Sequence, residues 1–203
     1  MKLLIAIPCM DTVRYEFAES LARLCQHLSN IGVDYNLKWI ATSIIYLARE
    51  ELANTAINDG YEYVLWLDSD MVFTPDMFDL LRGLNKPFST GIYRGRRGSF
   101  PYVIKGFNGE KWDKPLPAEP FKVAACGFGF VLIKTECLFQ VRGKHFACFT
   151  PTIAEGEDYA FCTRWIEMGG EIYAHPDVLP DHITYVRLRG NDPTKLLEYK
   201  EQR

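Results

Sequence analysis

No two of the six cysteines form a CxxC pair or any other tight spacing. That makes a disulfide framework the minority expectation. The N-terminal stretch MKLLIAIPCMD carries a short apolar run that Pro8 and Asp11 cut off, too short for a signal-peptide core. The cysteines are therefore expected to be reduced, mostly buried thiols of a cytoplasmic protein. Nor does any apolar stretch approach the roughly 18 residues of a membrane span. There is no excess of positive charge. A formal net charge of −3 argues against a nucleic-acid binder that works by bulk electrostatics. Repeats, low-complexity tracts and linkers are lacking as well. The 203 residues, 48% of them hydrophobic, are read as one domain over 1–185 with a polar tail over 186–203.

What is there is an alternation of periodicities. Residues 2–8 read as a buried strand and 9–12 as a loop. Phe17, Leu21, Leu24 and Leu28 place an amphipathic helix over 13–30. A strand over 36–42, a helix over 44–58 and an apolar strand over 63–67 follow, and Thr74–Pro75 opens another helix. This β-α-β-α-β-α order predicts a parallel sheet with helices on both faces. Beyond Pro87 the spacing predicts a strand over 88–93 and a hairpin and loop region over 101–122. An apolar strand over 123–133 comes next, then helices over 135–141 and 157–168 and a strand over 171–174.

The stretch VLWLDSDMVFTP runs a buried strand straight into two aspartates, Asp68 and Asp70. In open α/β sheets ligands bind at the carboxyl ends of strands. Strand alternation, if it continues, turns both carboxylates to one side. Two anions held close need a cation, and hard divalent metals take oxygen ligands. For an isolated DxD a surface loop capping the next helix is the commoner outcome, and placement at a strand end makes the two readings equal.

Glu157 and Asp158 open the helix YAFCTRWIEM. Acidic residues in a first turn suit the helix dipole alone. Phe161, Trp165 and Met168 can also hold this helix on the core, which would fix a carboxylate where a general base is needed. His182, in LPDHITY, is a candidate metal ligand that would favour manganese, with His175 as competitor and His27 and His145 read as ordinary. In TGIYRGRRG, Arg94, Arg96 and Arg97 offer guanidinium forks for a diphosphate. Gly127 in CGFGF marks close approach of a ligand or of backbone, and Trp112 offers a sugar-stacking face.

Taken in order, IPCMD, LAREELANTAI, YVLWLDSDMVFTP, VAACGFGFVLI, GEDYAFCTRWIEMGGEIY and PDHI resemble a GT-A-type nucleotide-sugar glycosyltransferase of the large inverting family, over about 2–183. The resemblance implies a Rossmann-like α/β fold with a central, mostly parallel sheet flanked by helices. It implies Mn2+ (or Mg2+) held by Asp68, Asp70 and His182, and Asp158, beside Glu157, as the base. Pro8, Asp11, Arg49, Asp68, Ser69, Asp70, Arg94 and Gly127 are the expected contacts to a UDP- or GDP-linked sugar. The acceptor is expected to be a glycan or another hydroxyl. Two departures from the family's pattern stand out: PCMD in the first loop, and Glu50 after Arg49 where asparagine is frequent. The compact length is similar to stand-alone viral and phage transferases, which would place the protein in the host cytoplasm.

Two other classes compete. LDSDMV also fits the nucleophile motif of haloacid-dehalogenase-like phosphohydrolases, with Asp68 phosphorylated and Asp70 as acid/base. A non-catalytic binding module fits the same fold.

Overall fold

The computed structural model describes residues 1–96 and 101–184; Arg97, Gly98 and the predicted tail lie outside the described residues. The chain runs β1 (Lys2–Cys9), α1 (Tyr15–Asn30), β2 (Asp34–Ala41), α2 (Ile45–Asn58), β3 (Tyr63–Leu67), β4 (Met71–Val72), α3 (Pro75–Gly83), β5 (Phe88–Thr90) and β6 (Ile104–Lys105). It continues with β7 (Phe121–Val123), β8 (Ala125–Cys126), β9 (Phe130–Lys134), α4 (Thr135–His145), α5 (Glu157–Glu167), β10 (Ile172–Ala174) and β11 (Asp181–His182).

The main sheet has seven strands in the order β2-β1-β3-β9-β5-β10-β7. β1 is parallel to β2 and β3, and β10 is parallel to β5. β9 runs against both β3 and β5, and β7 against β10. Five strands thus point one way, and the sheet is mostly parallel, as predicted. The carboxyl ends of β1, β3, β5 and β10 therefore share one edge, where a doubly wound sheet places its ligands.

Alternation along the buried strands explains the two layers. Leu3, Ile5, Ile7, Leu65 and Leu67 face Phe17, Leu21, Leu24 and Leu28 of α1 and Phe78 and Leu81 of α3. Leu4, Ala6, Val64 and Trp66 face the opposite way, onto α2 (Leu52, Ala53, Ala56), α4 (Leu138, Val141) and α5 (Phe161, Trp165). The second layer is aromatic. Phe128 lies edge-on to Trp66 (centroids 5.9 Å apart), Phe149 (5.2 Å) and Phe161 (5.4 Å), and Phe149 stacks on Phe161 at 5.0 Å. Such pairs add roughly 0.5–1.5 kcal/mol each beyond the area they bury, and they fix the start of α5 against β3.

Two sequence expectations need correction, and one feature was not anticipated. The single strand predicted over 123–133 is broken into β7, β8 and β9, because Gly127 and Gly129 leave the ladder to pack on a tyrosine. β4 and β11, two residues each, form an antiparallel ribbon of their own with His182 opposite Met71. Such short strands carry no periodicity to detect. Thr74 takes the cap position of α3 in extended geometry, yet its side chain makes no capping hydrogen bond; Pro75 starts the helix instead.

Candidate active site

Asp68 follows the last residue of β3, and its N–H donates to the Gly129 carbonyl (3.1 Å). The chain then turns, with Met71 N–H donating to the Asp68 carbonyl (3.2 Å). Strand geometry therefore does not continue through Asp70, and the two carboxylates take different direct partners, although Asp68 still acts through space on Arg96 and His182. Asp68 turns to α2, where its Oδ1 accepts from Arg49 Nη2 at 2.8 Å. Asp70 turns to the β4–β11 ribbon. Its Oδ2 contacts Arg96, and its Oδ1 lies 3.6 Å from His182 Nε2.

Arg49 is the electrostatic centre. Only 3% of its side chain is exposed, and Nε donates to Glu157 Oε1 at 3.3 Å. The guanidinium lies over the rings of Phe128 (5.5 Å) and Trp66 (5.8 Å). A buried cation is tolerable only when paired, and Arg49 is paired with both acidic motifs that the sequence offered. It joins β3, α2 and α5 into one site. Glu157 is thereby committed to Arg49.

Asp158 lies in the first turn of α5, after Gly156 in the cap position. Its Oδ1 accepts the Tyr159 N–H at 2.7 Å. Burial pushes its carboxyl up to about 6; Arg49 pulls it down, and Glu157 and Asp68 push it up. A carboxylate that titrates there is matched to base catalysis near neutral pH.

His182 is fixed from both sides. Nδ1 lies 2.9 Å from the Arg94 carbonyl, which can only accept, so Nδ1 carries the proton. Nε2 accepts from Arg96 Nε at 2.7 Å, since a guanidinium can only donate. Burial lowers the imidazole's pKa, which favours this neutral form. Asp70 Oδ1, a buried atom with no hydrogen-bond partner, lies 3.6 Å from the same Nε2. Two electron-rich atoms in that relation suit a cation shared between them, and an imidazole oriented through its other nitrogen is the form that binds metals. The donor set fits a divalent ion at Asp70 and His182, whereas Asp68, the third expected ligand, is engaged by Arg49. Among the described residues, however, no three His, Cys, Asp or Glu side chains come together as a ready-made cage.

The remaining sequence candidates divide. His175 Nδ1 accepts the Asp177 N–H (3.2 Å), and His27 pairs with Asp79. Arg94 contributes its carbonyl to His182 while its guanidinium covers the Tyr102 ring at 4.2 Å. Pro8 is buried within β1, Asp11 is exposed just beyond it, and Ser69 is half-buried between the two aspartates. Gly127 faces protein: a Cβ there would lie 2.2 Å from the Tyr93 hydroxyl and 2.7 Å from Val103. Trp112 packs on Phe121 at 4.8 Å with Lys114 above its ring, so it is not a bare stacking face.

Two participants were not picked out as site residues from sequence, and a third was expected in another role. Tyr93 is buried, accepts the Gly129 N–H (3.1 Å) and meets the His182 ring edge-on at 5.3 Å. Burial, then the nearby Asp68 and Asp158, push its phenol well up, so it remains a neutral hydroxyl. Its position in the loop after β5, at the ligand-binding edge, was the available signal. Glu50 accepts the N–H groups of Cys148 (2.9 Å) and Phe149 (2.8 Å), and Arg164 holds the Cys148 carbonyl (2.9 Å). The loop leading to Glu157 and Asp158 is thus clamped from two helices. Arg96 is the third, noticed in its loop but not as a partner of Asp70.

No family model matches the sequence, and no curated protein matches it. Solved structures do. A197 from STIV is 20% identical, with a TM-score of 0.59 over 95% of this chain and 100% of that one. GalNAc-T7, crystallised with UDP, GalNAc and Mn2+, is 11% identical, with a TM-score of 0.60 over 91% of this chain and 44% of that one. At these identities the likeness is one of architecture, and the architecture is the GT-A fold: a large, mostly parallel sheet flanked by helices.

Proposed function

We propose that this protein is a metal-dependent glycosyltransferase that moves a sugar from a UDP- or GDP-linked donor to a hydroxyl acceptor, a glycan, with inversion at the anomeric carbon. The observation that carries the reading is the junction made by Arg49. One buried guanidinium binds the Asp68 end of the DxD motif and the Glu157 end of the acidic helix start, leaving Asp70 and Asp158 available for separate tasks. GalNAc-T7 shares the fold and was crystallised with UDP and Mn2+, which supports this choice of donor and ion.

Asp70 and His182 Nε2 are the residues to hold the cation, which when bound would supply Lewis-acid stabilisation of a departing diphosphate. Asp158 takes the proton of the acceptor hydroxyl as the new glycosidic bond forms. Its carboxylate is charged above about pH 6, and its helix is pinned by Phe161 and Trp165, so the base is both ionised and positioned. Tyr93 keeps its proton and adds a neutral hydroxyl near Asp68 and Asp158. Attack from the side opposite the leaving group gives inversion, through an oxocarbenium-like state.

The test is turnover of a nucleotide-sugar panel with Mn2+, with binding followed by thermal shift. Asp158→Asn should lower transfer by roughly 10²–10⁴-fold while the donor still raises the melting temperature. Near-normal transfer by Asp158→Asn would remove the base assignment. Hydrolysis of simple phosphate esters through a phosphorylated Asp68 would replace the transferase reading altogether.

A further inference from the structure

A guanidinium already stands where the proposed cation would go. Arg96 contacts Asp70 Oδ2 and donates from Nε to His182 Nε2 at 2.7 Å. These are the same two side chains that face each other at 3.6 Å as the metal donors. The imidazole lone pair is a single acceptor, and it cannot serve Arg96 and a metal ion together. Nor can the guanidinium step aside by losing its proton, because arginine does not deprotonate in proteins. Its side chain is 45% exposed, so it can leave without giving up a buried environment.

We propose that Arg96 is an intramolecular occupant of the cation seat: its guanidinium and a divalent ion exclude one another at Asp70 and His182. The incoming diphosphate promotes the exchange by accepting the released fork. The proposal rests on the reading above that this seat takes a metal. Arg96 belongs to the same short segment as Arg94, whose carbonyl orients His182. One segment therefore both prepares the imidazole as a ligand and blocks it. A diphosphate offers the guanidinium several oxygens in the planar, two-pronged arrangement it favours. A free ion must displace Arg96 unaided, whereas an ion arriving with a diphosphate brings a new partner for it. The device makes cation binding conditional on the donor's diphosphate.

The test is Mn2+ binding to the full chain at pH 7.5, read from the electron paramagnetic resonance signal of free Mn2+, with and without UDP. Wild type is compared with Arg96→Ala, Arg96→Gln, Arg94→Ala and Asp70→Ala, each first shown by circular dichroism to be folded. Arg96→Ala and Arg96→Gln should bind Mn2+ alone at least tenfold more tightly than wild type. Arg94→Ala, which removes equal charge nearby, should change affinity less than threefold. UDP should tighten Mn2+ binding more in wild type than in Arg96→Ala. If Asp70→Ala abolishes binding but Arg96→Ala binds no more tightly than wild type, the seat is real and the exclusion is wrong. An Arg94→Ala gain equal to that of Arg96→Ala would also overturn it, as a bulk charge effect. If Asp70→Ala leaves Mn2+ binding intact, the cation assignment itself fails and takes the proposal with it.

Discussion

Arg49 and Asp68, 19 residues apart in sequence, form an ion pair at 2.8 Å in which the arginine is almost wholly buried. The pair is half of a bridge, because the same guanidinium holds Glu157. Replacing Arg49 with methionine would keep much of the stem's packing and strand two carboxylates. A loss of roughly 3–5 kcal/mol is expected, the usual consequence of breaking a buried pair from one side. Chemical denaturation measures it. A change under about 1 kcal/mol would mean that the bridge is not a buried charge network.

Asp158 sets a second expectation, through pH. Its native carboxyl titrates near 6, above its ordinary value of 3.8. When the folded pKa is the raised one, the native state holds its proton longer than the unfolded state, and stability falls as pH rises between the two values. Below about pH 4 both states are protonated, and Asp158→Asn should match wild type. Above about pH 6 both are charged, and the variant should be more stable by roughly 1–3 kcal/mol. Denaturation midpoints at pH 4 and pH 7.5 test the sign; a variant less stable at pH 7.5 contradicts it. Transfer by the wild type should rise with pH through about 6.

Gly127 and Tyr93 should be coupled. A methyl group on Gly127 would lie 2.2 Å from the Tyr93 oxygen and 3.1 Å from its Cζ, so alanine forces the ring to move. Gly127→Ala alone should cost roughly 1–3 kcal/mol, the range for overpacking. In a Tyr93→Phe background the oxygen is gone, and the same substitution should cost less. A double-mutant cycle reads the difference, expected at about 0.5–2 kcal/mol. Strict additivity would show that Val103, not Tyr93, limits the space.

Glu50 replaces the asparagine frequent in the resembling family, and its carboxylate carries the N–H groups of Cys148 and Phe149. Glu50→Ala leaves both donors without their acceptor and should destabilise by roughly 2–4 kcal/mol. Because that loop leads to the start of α5, transfer should fall by more than the loss of folded protein explains. Activity per folded molecule unchanged in the variant would make Glu50 a stability residue alone.

Much of the fold was legible because its strands are buried on both faces and its helices are amphipathic. Leu3 to Ile7 and Val64 to Leu67 announce themselves by apolarity, and Phe17, Leu21, Leu24 and Leu28 by spacing. Antiparallel β9 between two strands of opposite direction was not legible, since an apolar run carries no sign of direction. The acidic motifs were visible, but their wiring was not. That Asp68 and Asp70 take different partners follows from the turn at Met71. That Arg49 joins Asp68 to Glu157 follows from packing between residues 108 apart. Tyr93 stayed hidden for a related reason: its role depends on two glycines in another strand segment, and glycines reveal what they accommodate only once their neighbours are known.

The most direct measurement is a crystal of the full chain grown with UDP and Mn2+, with the ion located by anomalous diffraction at the manganese edge. The expected peak lies within bonding distance of an Asp70 carboxylate oxygen and His182 Nε2, with the Arg96 guanidinium withdrawn from both and the diphosphate beside the ion. A manganese peak elsewhere on the chain, with Asp70 and His182 still held by Arg96 while UDP is bound, would contradict the assignment.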